Sequence, residues 1–424
     1  MPGKPTKRKA AVDTKAKKTP TKKVRVDDGG ASSDSGHGLR WINVGDAHGG
    51  LYPLIAYTSD TLEGVEKVAG FDIDFTIIKT ASGKKFATGP SDWMFWDDKV
   101  ITKLKELHND GYRVVFFTNQ GGIEKNKVTV SGFQSKAEAI IRDLDIPVMV
   151  FASTGTNMYR KPYTGMWDYF TENCNQGVKV DKSQSLYVGD AAGRAKNWAK
   201  DKPKDFSCSD RMFAANVGVK FYTPEEFFFD QPPAPFQWRS FDTKEFLKKN
   251  PPISKQADKS DYTSKTQEVI VMVGPPATGK STFRKRYLEP HGYVTINRDT
   301  LGTMAKCLKV AEQTIQSGKS IVADNTNPSV AKRSEFISLA QDAGIPCRCI
   351  WMQTPIELAH HLNMFRQRQT KDAVRRVPDV GYNIFKKDFQ APTTAEGFTE
   401  IIKVNFTPRF DDKSDEELFQ HWTD

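Results

Sequence analysis

The chain predicts an α/β protein of two doubly wound parallel-sheet domains in series, behind a disordered basic tail. Three observations lead there. Between residues 39 and 230, four continuously apolar runs (KVAGFDIDF, YRVVFFTNQ, PVMVFAS and QSLYVGD) alternate with helical patterns, and each ends in small or polar residues. From residue 267 a further run, EVIVMV, opens a second alternating stretch that reaches residue 424. Between them, residues 231–266 are rich in Pro, Lys and Ser and form a linker. Strands buried on both faces lose their period-two alternation, and strand–helix–strand order places them parallel. Such sheets collect ligands at the carboxyl ends of their strands, so the polar ends of the runs are where chemistry is expected.

The tail, residues 1–38, is accounted for by composition. Residues 1–26 hold ten Lys/Arg and one Asp, so they carry nearly all of the net charge of +10. The DDGGASSDSGHG stretch that follows adds nothing that could build a core. The clusters KPTKRK and KKTPTKKVR match a nuclear localisation signal or a loose nucleic-acid arm, and the nucleus is the expected compartment. The remainder of the chain is close to neutral, so a nucleic-acid groove there would be local. No run of 18 apolar residues predicts a membrane span, and no apolar h-region predicts a secretory signal. Cys174, Cys208, Cys307, Cys347 and Cys349 lack metal-ligand spacing, as expected of reduced thiols in an intracellular protein.

In the first domain, DKVITKLKELHNDG has helical spacing and a glycine stop. KVAGFDIDF places Asp72 and Asp74 on one side of a strand, where two like charges call for a cation. FFTNQ ends in Thr118 and Asn119, YRKP carries Lys161, and YVGD ends in Asp190. Mg2+ takes oxygen ligands and keeps several waters, so two or three carboxylates suffice. Asp72 is then a nucleophile aimed at phosphorus, and Asp74 protonates the leaving oxygen and later activates water. Thr118 and Asn119 bind phosphate oxygens, Lys161 offsets charge on the moving phosphoryl group, and Asp190 holds the metal. The gaps from Asp74 to Thr118 and from Thr118 to Lys161 have room for a helix and a loop but not for a cap domain. An uncapped site suits a macromolecular substrate.

This order of motifs resembles the haloacid dehalogenase superfamily of aspartyl-phosphate phosphatases: DxDx[TV], a strand ending in Thr or Ser, a Lys, then GD and a further acid. Asp205 and Asp210 both answer to the further acid, with Asp210 the weaker choice. Phe75 stands where that superfamily often has Gly, and would alter the entrance to the site.

The second domain opens on Gly274-Pro-Pro-Ala-Thr-Gly279-Lys280-Ser281, a full GxxxxGK[ST] match between a strand and a helix-like stretch that begins with Ser281 and Thr282. Its glycines let backbone N–H groups wrap phosphates at a helix N-terminus. Lys280 would reach the β- and γ-phosphates of ATP and Ser281 would hold Mg2+. Asp299, at the end of YVTINRD, is placed to take a proton from an attacking hydroxyl. Asp324, at the end of SIVAD, either touches the magnesium through water or positions substrate. Arg366 would close over the transferred phosphoryl group from a helix that also carries Arg368, with a solvated helix face as the competing reading for both. His360 and His361 on that helix are expected to pack or lie at the surface rather than ligate.

A phosphatase and a kinase on one chain make sense when they treat two different ends of one polymer. SGKKFATGPSDW, FFTNQGGI, YRKPYTGMWD, YVGDAAGRAKNWA, VGPPATGKST, NRDTLG, ADNTNP and QAPTTAEGF together resemble the polynucleotide kinase 3′-phosphatase family from about Trp41 to Arg409. The resemblance implies removal of a 3′-phosphate and ATP-dependent phosphorylation of a 5′-hydroxyl at DNA strand-break termini, with RNA end healing as the alternative. It makes Asp72 the nucleophile, Asp74 the general acid and base, and Asp190, with the Asp74 carbonyl, the metal ligands. Lys280 and Ser281 then serve ATP, Asp299 is the kinase base and Arg366 belongs to a lid. Vertebrate members begin with a forkhead-associated module where this chain has its basic tail, an arrangement that looks like fungal members and makes recruitment through phosphorylated repair scaffolds unexpected. Trp93, Trp96 and Trp198 are candidates for stacking on frayed bases, with ordinary packing as the competing reading. No coiled-coil pattern is present, and a monomer is expected.

Overall fold

The computed structural model describes residues 26–28, 38–254 and 261–423, so the basic clusters of the tail lie outside the described residues. Among the described residues, ten strands precede residue 230: β1 (Val26–Asp28), β2 (Arg40–Val44), β3 (Leu54–Thr58), β4 (Val68–Phe71), β5 (Ile78–Lys79), β6 (Met94–Phe95), β7 (Arg113–Asn119), β8 (Val148–Ser153), β9 (Leu186–Val188) and β10 (Lys220–Tyr222). Eight of them form one sheet in the order β1-β2-β3-β8-β7-β4-β9-β10. The four predicted apolar runs are its centre, β4, β7, β8 and β9, and they pair in parallel as expected. Every residue of β4 and β8 is buried, as are all but the last of β7, because helices cover both faces. Asp98–Asn109 is one such helix, with the Asp97 side chain capping its N-terminus.

The sheet departs from expectation at one side. β3 pairs antiparallel with β8, β2 with β3 and β1 with β2, so it is mixed rather than purely parallel. Antiparallel edges of this kind are common on large α/β sheets. β1 also falls within the segment assigned to the tail. The insert between Asp74 and the helix at 98 is only the β5–β6 hairpin with its loop, and among the described residues no separate cap domain stands over β4.

The second unit is a five-stranded, all-parallel sheet in the order β12-β13-β11-β14-β15, from β11 (Val269–Val273), β12 (Val294–Ile296), β13 (Ile321–Ala323), β14 (Cys347–Met352) and β15 (Glu400–Val404). β11 is buried throughout and runs into the Gly-rich loop. Part of the expected linker packs against the second unit. Its helix Thr243–Lys249 brings Phe246, with Phe241, against Leu358, Leu362 and Phe419 of the second unit. Trp238 stacks flat on Trp422, with ring centroids 4.4 Å apart. Asn216 of the first unit exchanges two hydrogen bonds with the backbone of Trp422, at 2.8 and 2.9 Å. The two units thus share a built seam.

Candidate active sites

Regular pairing of β4 stops at Phe71, but the Asp72 N–H still donates to the Val188 carbonyl, at 2.9 Å. The alternation persists for three residues beyond. Ile73 is fully buried, while Asp72 and Asp74 turn to the strand-end side. Phe75 then takes a left-handed backbone, φ 59°, and its ring is exposed. A bulky side chain is disfavoured there, which accounts for the glycine common at this position elsewhere. Thr76 behind it is fully buried.

The carboxyl ends of β4, β9 and the chain beyond β8 bring four charged side chains together. Lys161 Nζ lies 2.8 Å from Asp72 and 2.7 Å from Asp210, with all three side chains largely or wholly buried. Asp72, Asp190 and Asp210 each place a carboxylate oxygen within 4.8 Å of the others. Burial raises the Asp72 pKa to about 6, against the pull of Lys161 and with the push of Asp210. Burial, then Asp210 and Asp72, hold Asp190 well above the usual carboxylate range. Burial opposes the charge on Lys161, but Asp210 and Asp72 outweigh it and raise its pKa. Three converging acids against one lysine leave negative charge in excess, and an all-oxygen set of this kind fits a hard divalent cation such as Mg2+.

The further acid is Asp210, not the favoured Asp205. Asp205 is spent in an ion pair with Arg194, at 2.9 Å, and Arg194 also holds Glu225. Asp210, buried at the start of the helix Ser209–Val217, accepts the Ala191 N–H, at 3.0 Å. Its carboxyl lies where a Cβ on Gly189 would come within 2.5 Å of it. The glycine before Asp190 is therefore the space that the third acid occupies.

Asp74 stands apart, with both oxygens held. Lys136 Nζ is 2.6 Å from Oδ1, and Gln120 Nε2 donates to Oδ2 at 3.1 Å and to Thr118 Oγ1 at 3.0 Å. Asn119, expected at phosphate, spends its side chain on the main chain of Lys161. Its Oδ1 accepts the Lys161 N–H at 2.8 Å and its Nδ2 donates to the Lys161 carbonyl at 3.1 Å. Tyr187 was missed at the sequence level. Its buried hydroxyl lies 2.8 Å from Lys161 Nζ and donates to the Phe117 carbonyl at 3.1 Å. Trp96 packs on Phe229, Trp93 on Phe95, and Trp198 lies under the Arg194 guanidinium, so all three tryptophans are engaged within the fold. Phe86, in the β5–β6 loop, is exposed as Phe75 is, with Lys85 Nζ 5.6 Å from its ring centre.

In the second unit, the loop after β11 turns through Gly274 (φ 156°) and Gly279 (φ 87°) into the helix Lys280–Tyr287, which also carries Thr282. Lys280 Nζ donates to the carbonyls of Gly274 and Pro275, at 2.9 and 2.6 Å. Burial lowers its pKa to about 8. Ser281 Oγ donates to Asp324 at 2.8 Å, and Arg284 pairs with the same carboxylate. Asp324 therefore stands beside Ser281 at the start of that helix. Asp299 is exposed at the start of a short helix capped by Asn297, and its carboxylate enters no ion pair among the described residues. Neither Arg366 nor Arg368 forms a solvated helix face. Arg366 donates to Asn363 at 3.0 Å and has its Nε buried without a partner. Arg368 points into the first unit. His361 packs edge-on against Phe419, and His360 stacks on Tyr382.

Residues 67–228 match the family model described as polynucleotide kinase 3 phosphatase, and residues 269–392 match an AAA domain model. The bifunctional polynucleotide phosphatase/kinase of Schizosaccharomyces pombe is 39% identical over 361 residues, which cover 85% of this chain and 84% of that protein. The chain belongs to the bifunctional polynucleotide phosphatase/kinase family. Two relatives of this phosphatase/kinase match a smaller part of it. The polynucleotide 3′-phosphatase of Saccharomyces cerevisiae is 29% identical, over 38% of this chain and 87% of its own length. That of Arabidopsis thaliana is 33% identical, over 42% of this chain and 26% of its own length.

Proposed function

We propose that this phosphatase/kinase heals DNA strand breaks, converting 3′-phosphate and 5′-hydroxyl ends into ligatable 3′-hydroxyl and 5′-phosphate ends. The observation that carries the first half is the buried Asp72–Lys161–Asp210 cluster beside a separately held Asp74. An Asp72 oxygen attacks phosphorus, the P–O3′ bond breaks, and protonated Asp74 gives its proton to O3′. Asp74 then takes a proton from water, whose oxygen attacks the aspartyl-phosphate and frees inorganic phosphate and Asp72. Lys161 offsets charge on the phosphoryl oxygens throughout, with the Thr118 hydroxyl as their further donor. Asp72, Asp190, Asp210 and the Asp74 carbonyl would hold Mg2+, which supplies further charge neutralisation.

In the kinase half, Asp299 takes the proton of the 5′-hydroxyl as its oxygen attacks the γ-phosphorus of ATP and ADP leaves. Gly274, Gly279 and Thr282 line the phosphate loop, Lys280 leaves the loop carbonyls for the phosphates, Ser281 would hold Mg2+, and Arg366 offsets charge on the transferred group. The open first site and the exposed Phe86 and Lys85 support a polymer end as substrate. We assign the Lys/Arg clusters of residues 1–26 to nuclear import and take the working unit to be a monomer.

The test is a nicked duplex bearing 3′-phosphate and 5′-hydroxyl, with Mg2+ and ATP. Asp72→Ala should lose only 3′-dephosphorylation and Lys280→Ala only 5′-phosphorylation. If wild type leaves both DNA ends unchanged and converts the same ends in RNA, the DNA assignment is wrong.

A further inference from the structure

The helix Ile356–Gln369 carries Arg366 and Arg368 near its end. Two residues apart is about 200° around a helix, so the two side chains leave on opposite faces. Arg366 leaves on one face, where it donates to Asn363 at 3.0 Å and has its Nε buried without a partner. Arg368 crosses the seam. Its guanidinium carbon lies 5.0 Å from the centre of the Tyr163 ring, one Nη donates to Thr164 Oγ1 at 3.4 Å, and the other lies 2.8 Å from Nδ1 of His421. Tyr163 and Thr164 follow Lys161 by two and three residues. The same helix end reaches the chain before Lys161 as well. Gln367 Nε2 lies 3.5 Å from the Thr156 carbonyl and donates to Asp372 at 2.8 Å, while Asp372 accepts the Met158 N–H at 2.9 Å. The loop that delivers Lys161 to Asp72 is thus gripped on both sides by the kinase helix that delivers Arg366.

We propose that Arg368 is a positioning residue for dephosphorylation, setting the Lys161 loop from the kinase unit, and that a nucleotide in the phosphate loop is thereby felt at Asp72. This rests on the roles given above to Lys161 and Arg366. Nucleotide phosphates pull on Arg366, and where that pull shifts the helix it shifts Arg368 on the far side as well.

The experiment uses the full chain and an oligonucleotide phosphorylated at both ends, so that no 5′-hydroxyl is present and only 3′-phosphate release is read. Wild type, Arg368→Ala and Arg368→Lys are compared with and without Mg·ADP. ADP should change the wild-type kcat at least about two-fold, and Arg368→Ala should lower kcat about ten-fold with KM nearly unchanged and remove the ADP response. Arg368→Lys, which keeps charge but not the planar fork, should fall between them. If Arg368→Ala fails to fold, Asp372→Asn, which weakens the grip at Met158, should show the same pattern in milder form. An ADP-insensitive wild type, or an Arg368→Ala kcat within two-fold of wild type, overturns the proposal. Absence of any 3′-phosphate release by folded wild type overturns the phosphatase assignment with it, whereas release that ignores Arg368 overturns this proposal alone.

Discussion

At the scale of single residues, the phosphatase centre depends on groups that do no bond-making. Tyr187 is one: its ring packs in the core while its hydroxyl fixes Lys161 between two acids. Tyr187→Phe keeps the ring and removes the hydroxyl. We expect a stability loss of about 1 kcal/mol and a kcat for 3′-phosphate release down about ten-fold, with the kinase rate unchanged. Thermal melts and separate assays of the two ends check this. Such residues are hard to find in a sequence because their partners are far along the chain. Asp205 and Asp210 looked alike in DFSCSDR. The choice turns on Arg194, which consumes one, and on the space beside Gly189, which admits the other. Asp72, Asp74 and Asp190 were legible because each ends an apolar run, where a parallel sheet has few other uses for a charge, and Lys161 because it is a lysine in the chain that follows β8.

Among the elements, the helix Val130–Leu144 shows a legible signal that went unused. Its buried face is Phe133, Ala137, Ile140, Ile141 and Leu144, and Lys136 lies three residues on from Phe133 and four before Ile140, on the edge of that apolar stripe. A lysine there has to meet an acid, and it meets Asp74. Lys136→Gln should lower 3′-phosphate release about ten-fold, and Lys136→Arg should recover part of it. Equal rates in all three proteins would show that Gln120 alone suffices to orient Asp74. The central strands were recognised because double burial makes them continuous apolar runs. β2 and β3 were not, because they join the sheet only through the antiparallel pairing of β3 with β8, a contact across some 100 positions. Packing of the linker was also illegible, since beyond neighbouring Phe241 the partners of Phe246, among them Phe406 and Phe419, lie far along the chain in the second unit.

The whole molecule is joined by a seam that contains two neutral histidines. Burial lowers the pKa of His361, and of His421 beside Arg368, from 6.5 to about 3. Between those values the unfolded chain binds protons that the folded chain refuses, so their contribution to stability falls as pH falls from 6.5 towards 3. For His361 this amounts to about 2 kcal/mol at pH 5. Asp72 acts in the opposite sense, because its pKa is raised on folding and its penalty is relieved as pH drops below about 6. Denaturant midpoints at pH 7 and pH 5 for wild type and His361→Leu separate the two, and the variant should show the smaller acid loss. The phosphate loop has its own proton exchange with solvent. With Lys280 near pKa 8 while it rests on the loop carbonyls, a fraction of chains carries it neutral in mildly alkaline buffer. A triphosphate would hold it fully charged. Nucleotide capture should therefore draw protons from the medium, about half a proton per site at pH 8 and almost none at pH 6. The heat of binding at pH 8 should then shift with the ionisation enthalpy of the buffer, and titration in phosphate and in Tris reads that slope directly.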